Sequence, residues 1–136
     1  MSGRAFFDTN ILIYALCAVE AKTVEAERLL NRGGVVGVQV LNEFVAVARR
    51  KFAMGWEDVA DALGAIHSFC GDPTPLDGRV HVIGVDLARA HGLQIYDALV
   101  VSAALMAKCD TLYTEDMQHG RVFEGRLRLE HPFAVH

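Results

Sequence analysis

Four carboxylates stand in apolar company that carboxylates ordinarily avoid. Asp8 follows Phe6-Phe7 and precedes Thr9-Asn10. Glu43 has Val40, Ala46 and Val47 at the i−3, i+3 and i+4 positions. Asp97 opens the run Ala98-Leu99-Val100-Val101, and Asp116 closes the polar turn Thr114-Glu115-Asp116 behind Thr111-Leu112-Tyr113. Burying an unpaired carboxylate is costly, so each of the four needs a partner or a task. Taken singly, three have an ordinary account: Asp8 or Asn10 caps a helix, Asp97 meets a helix dipole, and Asp116 competes with Thr114 for another cap. If all four converge they repel one another, and cannot all be ionised near neutral pH without a counter-charge. Hard divalent cations, Mg²⁺ or Mn²⁺, supply that charge, prefer oxygen ligands and keep some waters. A carboxylate-held metal of this kind polarises a phosphodiester and activates water for in-line attack.

The elements that must bring the acids together follow from the pattern of the chain. A buried first strand is expected at about Arg4 to Phe7, then a short helix from about Ile11 to Cys17. Glu20 to Asn31 reads as an amphipathic helix, with Ala21, Val24, Leu29 and Leu30 apolar and Glu25, Glu27 and Arg28 exposed; Gly33-Gly34 stops it. Val35 to Val38 reads as a second buried strand. From Gln39 the period turns helical, with Leu41, Phe44, Val45, Ala48 and Phe52 on one face and Arg49-Arg50-Lys51 at its carboxyl end. Trp56 to Cys70 is a further helix, with Val59, Leu63, Ile66 and Phe69 or Cys70 inward. An edge strand around Thr74 to Leu76 tolerates the neighbouring prolines. Residues 78 to 91 have β-branched composition over Val80 to Val85. Val80, Ile83, Leu87 and Ala90 nevertheless keep helical spacing, and we read the stretch as helix. Ile95 to Lys108 is a strongly apolar helix, Thr111 to Tyr113 a buried strand, and Leu127 to Leu129 a last strand. Strands alternating with helices predict an α/β fold around a mostly parallel sheet. In such sheets a ligand site lies outside the carboxyl ends of the strands, where all four acids can meet.

Bulk properties narrow the class. The 136 residues are expected to form a single domain over residues 1–136. At 52% hydrophobic and 22% charged they suit a compact core and argue against disorder. A net charge of −4 excludes nucleic-acid binding driven by Coulomb attraction alone, unless bound cations and local Arg or Lys patches compensate the carboxylates. Cys17, Cys70 and Cys109 are odd in number, lack CxxC spacing, and read as reduced core thiols of a cytoplasmic protein; a zinc site from them is not expected. Met1-Ser2-Gly3-Arg4 leads straight into the first strand without signal-peptide character, and no apolar stretch is long enough to span a bilayer. The six histidines form no ligand spacing, and His119 reads as a surface loop residue. Arg49, Arg50 and Lys51 read as a solvated helix end. Arg121, Arg126 and Arg128, nearer in sequence to the acidic turn, are the better candidates for contacting a phosphate of the substrate.

Phe7-Asp8-Thr9-Asn10-Ile11-Leu12, Val38-Gln39-Val40-Leu41-Asn42-Glu43-Phe44, Ile95-Tyr96-Asp97-Ala98-Leu99 and Leu112-Tyr113-Thr114-Glu115-Asp116-Met117-Gln118-His119-Gly120, in this order, resemble the motifs of PIN domains, and specifically of VapC-type toxins. The resemblance covers nearly the whole chain. It implies a three-layer α/β/α sandwich with a central, mostly parallel sheet of about four to five strands. It also implies a Mg²⁺- or Mn²⁺-dependent endoribonuclease that leaves 5′-phosphate and 3′-hydroxyl ends. By position Asp8, Glu43, Asp97 and Asp116 correspond to the family's acidic, metal-holding cluster, and Thr9, Asn10 and Thr114 to its supporting polar residues. Asp8, Asp97 and Asp116 would ligate the metal directly or through water, while Glu43 helps hold it or positions the attacking water. The implied partners are an RNA substrate (tRNA, rRNA or mRNA), a VapB-like antitoxin, a second copy of the chain in a homodimer, and DNA only through the antitoxin. A PIN nuclease of RNA processing without an antitoxin, and a non-catalytic nucleic-acid-binding module, are the alternatives; the intact acidic quartet argues against the second. One departure from the family pattern is Gly37, which stands where Ser or Thr commonly caps the helix bearing Glu43.

Overall fold

The computed structural model describes residues 3–17 and 20–133, so Met1-Ser2 lies outside it. The elements run β1 (Ala5–Phe7), α1 (Thr9–Leu16), α2 (Glu20–Asn31), α3 (Val38–Lys51), α4 (Trp56–Cys70), α5 (Gly78–His91), α6 (Ile95–Met106), β2 (Thr111–Tyr113), β3 (Val122–Phe123) and β4 (Leu127–Glu130). The sheet order is β1-β2-β4-β3. β1 pairs parallel with β2 and β2 parallel with β4, while the short β3 pairs antiparallel with β4. This is the expected mixed α/β architecture with a mostly parallel sheet.

The sheet is covered on both faces around β1. Successive strand residues point to opposite faces, and both Phe6 and Phe7 are fully buried. The Phe6 ring reaches toward Gly37 and Ala103, on the side of α3 and α6. Phe7 stacks on Tyr113, ring centroids 6.1 Å apart, on the side of Gly34 and α2. Truncating a buried phenylalanine of this kind costs about 3–5 kcal/mol. The core continues through Leu112, Leu127 and Leu129 in the strands and the buried length of α6 from Ala98 to Leu105.

Several expectations are corrected. Val35 to Val38 is no strand: two isolated bridges, Phe6 to Val35 and Gly37 to Thr74, are all the pairing it makes, and helix α3 begins at Val38. The edge strand at Thr74 to Leu76 shrinks to that same bridge. A run of three β-branched residues has strand propensity but too few positions between Gly34 and the helix to build a ladder. Gly37 has a packing reason: a Cβ there would lie 3.1 Å from the Phe6 ring, so Ser would crowd the core. Val24 is 77% exposed, and Ala26 takes the inward place on α2. β3 was not foreseen.

Residues 78 to 91 form the helix that the spacing requires. Asp77 caps it by accepting the Val80 N–H at 3.0 Å, and Gly92 closes it at φ 67°. Its β-branched residues are accommodated by exposure of Val82 and Val85, while Val80 and Leu87 face inward. Gly84 lets α6 approach closely, since a Cβ there would come within 2.8 Å of Leu99. The buried Ser102 hydroxyl donates to the Val80 carbonyl at 2.8 Å, tying α6 to α5.

Candidate active site

The acids gather at the carboxyl ends of β1 and β2, and the register of the sheet explains how. Phe7 pairs with Tyr113, and the Asp8 N–H donates to the Tyr113 carbonyl at 3.0 Å. Asp8 and Thr114, each one residue further on, are therefore neighbours. The Thr114 hydroxyl donates to Asp8 Oδ2 at 2.7 Å, and the Thr9 N–H donates to Asp8 Oδ1 at 2.7 Å. Asp8 is itself the N-cap of α1, with extended backbone at φ −77° and ψ 167°; Asn10 lies inside the helix. The open choice between Asp8 and Asn10 as cap thus falls to Asp8.

The hydrogen bonds form a chain across four elements. The Thr9 hydroxyl donates to Glu43 Oε2 at 2.9 Å, and Gln39 Nε2 donates to Glu43 Oε1 at 2.9 Å, one turn earlier on α3. Thr114 Oγ1 also accepts the Asp116 N–H at 3.1 Å, and Asn10 Nδ2 donates to Asp116 Oδ2 at 3.2 Å. The cap reading of Asp116 fails, because among the described residues no helix follows β2 and the Thr114 hydroxyl organises the turn instead. Asp97, half-buried in the first turn of α6, has no hydrogen-bond partner among the described residues. Its carboxyl is pushed up by burial and then by the charges of Asp116 and Glu43, so all three share one field.

Burial and mutual charge shift the carboxyls of the site upward. Asp8 is 2% exposed. Burial raises its carboxyl to about 7; the bonds from Thr114 and Thr9 pull it down, and the charges of Asp116 and Glu43 push it up further. Asp116, on the exposed rim, is raised by partial desolvation, then by Glu115, against the donation from Asn10. Asn10 Oδ1 is buried and without a hydrogen-bond partner, an acceptor left open beside the acids.

Among the described residues no three acidic, histidine or cysteine groups stand close enough together to hold a metal ion as they are placed. The carboxylates feel one another's charge across the site. In donor chemistry the residues fit a hard divalent cation. All are oxygens, each Asp8 oxygen has lone-pair capacity beyond its one bond, and a cation would offset both the burial that chiefly raises Asp8, Asp97 and Asp116 and the lesser repulsion among the acids.

A cleft of about 540 Å³ opens beside the acids between α1 and α3. Thr9, Asn10, Glu43 and Asp116 form one end, Ile13 and Val47 its apolar middle, and Lys51 and Phe52 the other end, with Tyr14 and Lys22 at the side. Asp8 is not on its wall; it lies behind Thr9 and Thr114. The sequence reading missed Tyr14, Lys22, Gln39 and Glu115. Gln39 had a local signal, four residues before Glu43 on one helix face. The others had none: Lys22 Nζ meets Glu115 Oε2 at 2.9 Å and the Tyr14 hydroxyl at 3.1 Å, contacts across three separate segments.

The basic residues are rearranged relative to expectation. The Arg126 guanidinium donates to the Leu105 carbonyl at the far end of α6, and Arg121 donates to the His91 carbonyl. Arg128 lies 3.8 Å from Glu130. The arginines expected to serve the site are thus engaged elsewhere, and Lys51, read as part of a solvated helix end, lines the cleft. Exposed His119 accepts the His131 N–H through Nδ1 at 3.1 Å. The three cysteines are free, Cys109 buried and the other two packed against the core.

Comparison with known proteins identifies the family and the fold. A family model described as PIN domain matches residues 5–123. Among solved structures the chain is similar to a toxin–antitoxin complex from Klebsiella pneumoniae, at 21% identity and TM-score 0.71, covering 96% of this chain and 99% of the other. It is similar to Mycobacterium tuberculosis VapC20, described as a sarcin–ricin loop cleaving toxin, at 15% identity and TM-score 0.67, covering 82% and 91%. It is also similar to VapBC2 from Rickettsia felis bound to a DNA fragment from their promoter, at 21% identity and TM-score 0.63, covering 92% and 97%. No curated protein matches the sequence significantly.

Proposed function

Because this chain belongs to the PIN domain family, we propose that it is a Mg²⁺- or Mn²⁺-dependent endoribonuclease and the toxin of a VapBC-type pair. The observation that carries this reading is the hydrogen-bonded chain Asp116–Thr114–Asp8–Thr9–Glu43, with Asp97 in the same field, at the carboxyl ends of parallel strands. A binding module would gain nothing from such mutual repulsion.

Asp8, Asp97 and Asp116, with Glu43, would hold the metal. When bound, it supplies Lewis-acid polarisation of the scissile phosphate and lowers the pKa of water. Asp8 is the rigid member, its two oxygens fixed by Thr9 and Thr114 at the end of a buried strand. Glu43 is held at both oxygens by Thr9 and Gln39, so its carboxylate keeps one orientation from which to hold or position the attacking water. Asp97, without a hydrogen-bond partner among the described residues, is free to adjust to a ligand, while Asp116 on the rim is held at one oxygen by Asn10. The water oxygen bonds to phosphorus, the bond to the 3′ oxygen breaks, and that oxygen takes up a proton, leaving 5′-phosphate and 3′-hydroxyl ends.

The likeness to a toxin–antitoxin complex and to VapBC2 bound to promoter DNA supports a VapB-like antitoxin as partner; we further propose a homodimer as working form and DNA contact only through the antitoxin. No helix among the described residues is long and apolar enough to cross a membrane. The test is to sequence RNA 5′ ends from cells expressing the wild type or Asp97→Asn. New 5′-phosphate ends at defined sites in tRNA, rRNA or mRNA are expected for the wild type only. In vitro, EDTA should silence cleavage and Mg²⁺ or Mn²⁺ restore it. Identical ends from both proteins, or cleavage that persists in EDTA, would overturn the reading.

A further inference from the structure

The cleft beside the acids has an order along its length. On α3, Glu43, Val47 and Lys51 lie at i, i+4 and i+8, one stripe spanning about 12 Å at 1.5 Å per residue. On α1, Thr9 and Ile13 repeat the step from polar to apolar, and the Thr9–Glu43 hydrogen bond sets the two polar ends side by side. The walls therefore pass from carboxylate through aliphatic surface to a cation, with the rings of Tyr14 and Phe52 at the apolar stretch and beyond it.

The two lysines differ in what they already hold. Lys22 is engaged by Glu115 at 2.9 Å, by the Tyr14 hydroxyl at 3.1 Å, and lies 4.5 Å over the Tyr14 ring. Its charge is largely spent on orienting Tyr14, whose hydroxyl donates to Glu115 Oε1 and whose ring meets Phe133 edge-on at 5.1 Å. Lys51 is exposed and has no ion-pair partner among the described residues; its ammonium lies 5.9 Å from the Phe52 ring centre. The cleft thus carries one uncommitted cation, separated from the acids by an apolar, ring-walled gap.

Resting on the nuclease reading, we infer that this cleft is a nucleobase pocket. An unstacked base next to the scissile phosphate seats on Ile13 and Val47 against the rings of Tyr14 and Phe52, and Lys51 takes the phosphate on its far side. The substrate class is then single-stranded or looped RNA, because a base held in a duplex stack cannot enter. Lys51 behind an apolar, ring-walled stretch suits a base followed by a phosphate, and the carboxylates accept the scissile phosphate once a cation is bound; a cationic peptide side chain drawn to the carboxylates is the outcome the test separates from this.

The test uses the full chain carrying Asp97→Asn, so that the probe survives, and fluorescence anisotropy with three probes. These are a short fluorescein-labelled oligoribonucleotide of mixed sequence, its blunt duplex, and an oligomer of the same length made wholly of abasic ribose phosphates. The base-bearing single strand should bind about five- to 150-fold more tightly than the abasic one, the worth of stacking one base, and more tightly than the duplex. Adding Lys51→Ala should weaken binding of both single strands and lower the slope of log affinity against log salt by about 0.7, the value of one phosphate contact. Adding Phe52→Leu should shrink the preference for bases while leaving the salt slope unchanged, and circular dichroism melting checks that both variants fold. Equal binding of abasic and base-bearing strands overturns the pocket and leaves the cleft to a partner's side chain; so does an unchanged salt slope in the Lys51→Ala variant. Cleavage by the wild type is scored separately. Base-dependent binding without any cleavage would retire the nuclease reading and keep the pocket, and cleavage with base-indifferent binding would do the reverse.

Discussion

Asp8→Asn should stabilise the metal-free protein at alkaline pH, and the structure sets the size of the effect. Asp8 is buried and its carboxyl lies at about 7 in the folded chain, against an ordinary value of 3.8. Below pH 3.8 folded and unfolded chains are both protonated there. Between 3.8 and about 7 the unfolded chain releases the proton and the native one keeps it, so stability falls as pH rises, by about 1.4 kcal/mol per pH unit. Above pH 7 the cost levels off at about 4 kcal/mol. Asparagine removes this charge with little change of shape and keeps an acceptor for the Thr9 N–H. It loses the acceptor of the Thr114 hydroxyl, which takes back about 1 kcal/mol. The net gain at pH 8 is about 3 kcal/mol, or roughly 10 °C in melting temperature for a chain of this size. Near pH 5 the remaining penalty and the lost bond nearly cancel, and the two proteins should melt together. Thermal melts in EDTA at both pH values measure this directly. Added Mg²⁺ at pH 8 should raise the wild type more than the variant. A variant less stable than the wild type at pH 8, or a difference independent of pH, would refute the account of Asp8 as an acid whose charge burial disfavours.

Asp97→Asn, at a half-buried site with no hydrogen-bond partner among the described residues, should leave the melting temperature unchanged or slightly raised while cleavage falls about a hundredfold or more, read from RNA substrate decay. Thr114→Val removes a buried hydroxyl that serves both Asp8 and Asp116; urea unfolding should show a loss of about 1–3 kcal/mol, larger at pH 8 than at pH 5 because the ionised carboxylate loses its donor. Gly37→Ser supplies a side-chain helix cap worth only about 0.3 kcal/mol over glycine but sets a Cβ 3.1 Å from the buried Phe6 ring, at about 1–3 kcal/mol. The variant should therefore be no more stable than the wild type in urea, and a clear gain would show that Phe6 yields without cost.

Helix limits were legible wherever apolar period and end signals agreed. Glu20–Asn31 and Trp56–Cys70 carry both, and Gly78–His91 was readable despite its valines because a 3.6-residue period outweighs β propensity. Val35-Val36 misled because strand propensity says nothing about whether a partner of sufficient length lies alongside; here single bridges to Phe6 and Thr74 are all that the geometry allows. The arginines misled for a related reason. Arg126 is close to Asp116 in sequence, yet it precedes a strand parallel to β2 and so lies at the opposite end of the sheet.

The sequence by itself determined the types of most elements, the expectation of a parallel sheet and the identity of the four out-of-place acids, since each follows from local composition and period. Only the tertiary structure decided that Asp8 is the cap and Asn10 is not. It also decided that Thr114 joins Asp8 to Asp116, that Asp97 shares a field with Glu43 and Asp116, and that Lys51 lines the cleft while Lys22 is tied to Glu115. These pairings join residues tens to a hundred positions apart. They are fixed by the register of β1 on β2 and by the packing of α3 and α6 against the sheet, which no stretch of sequence encodes locally.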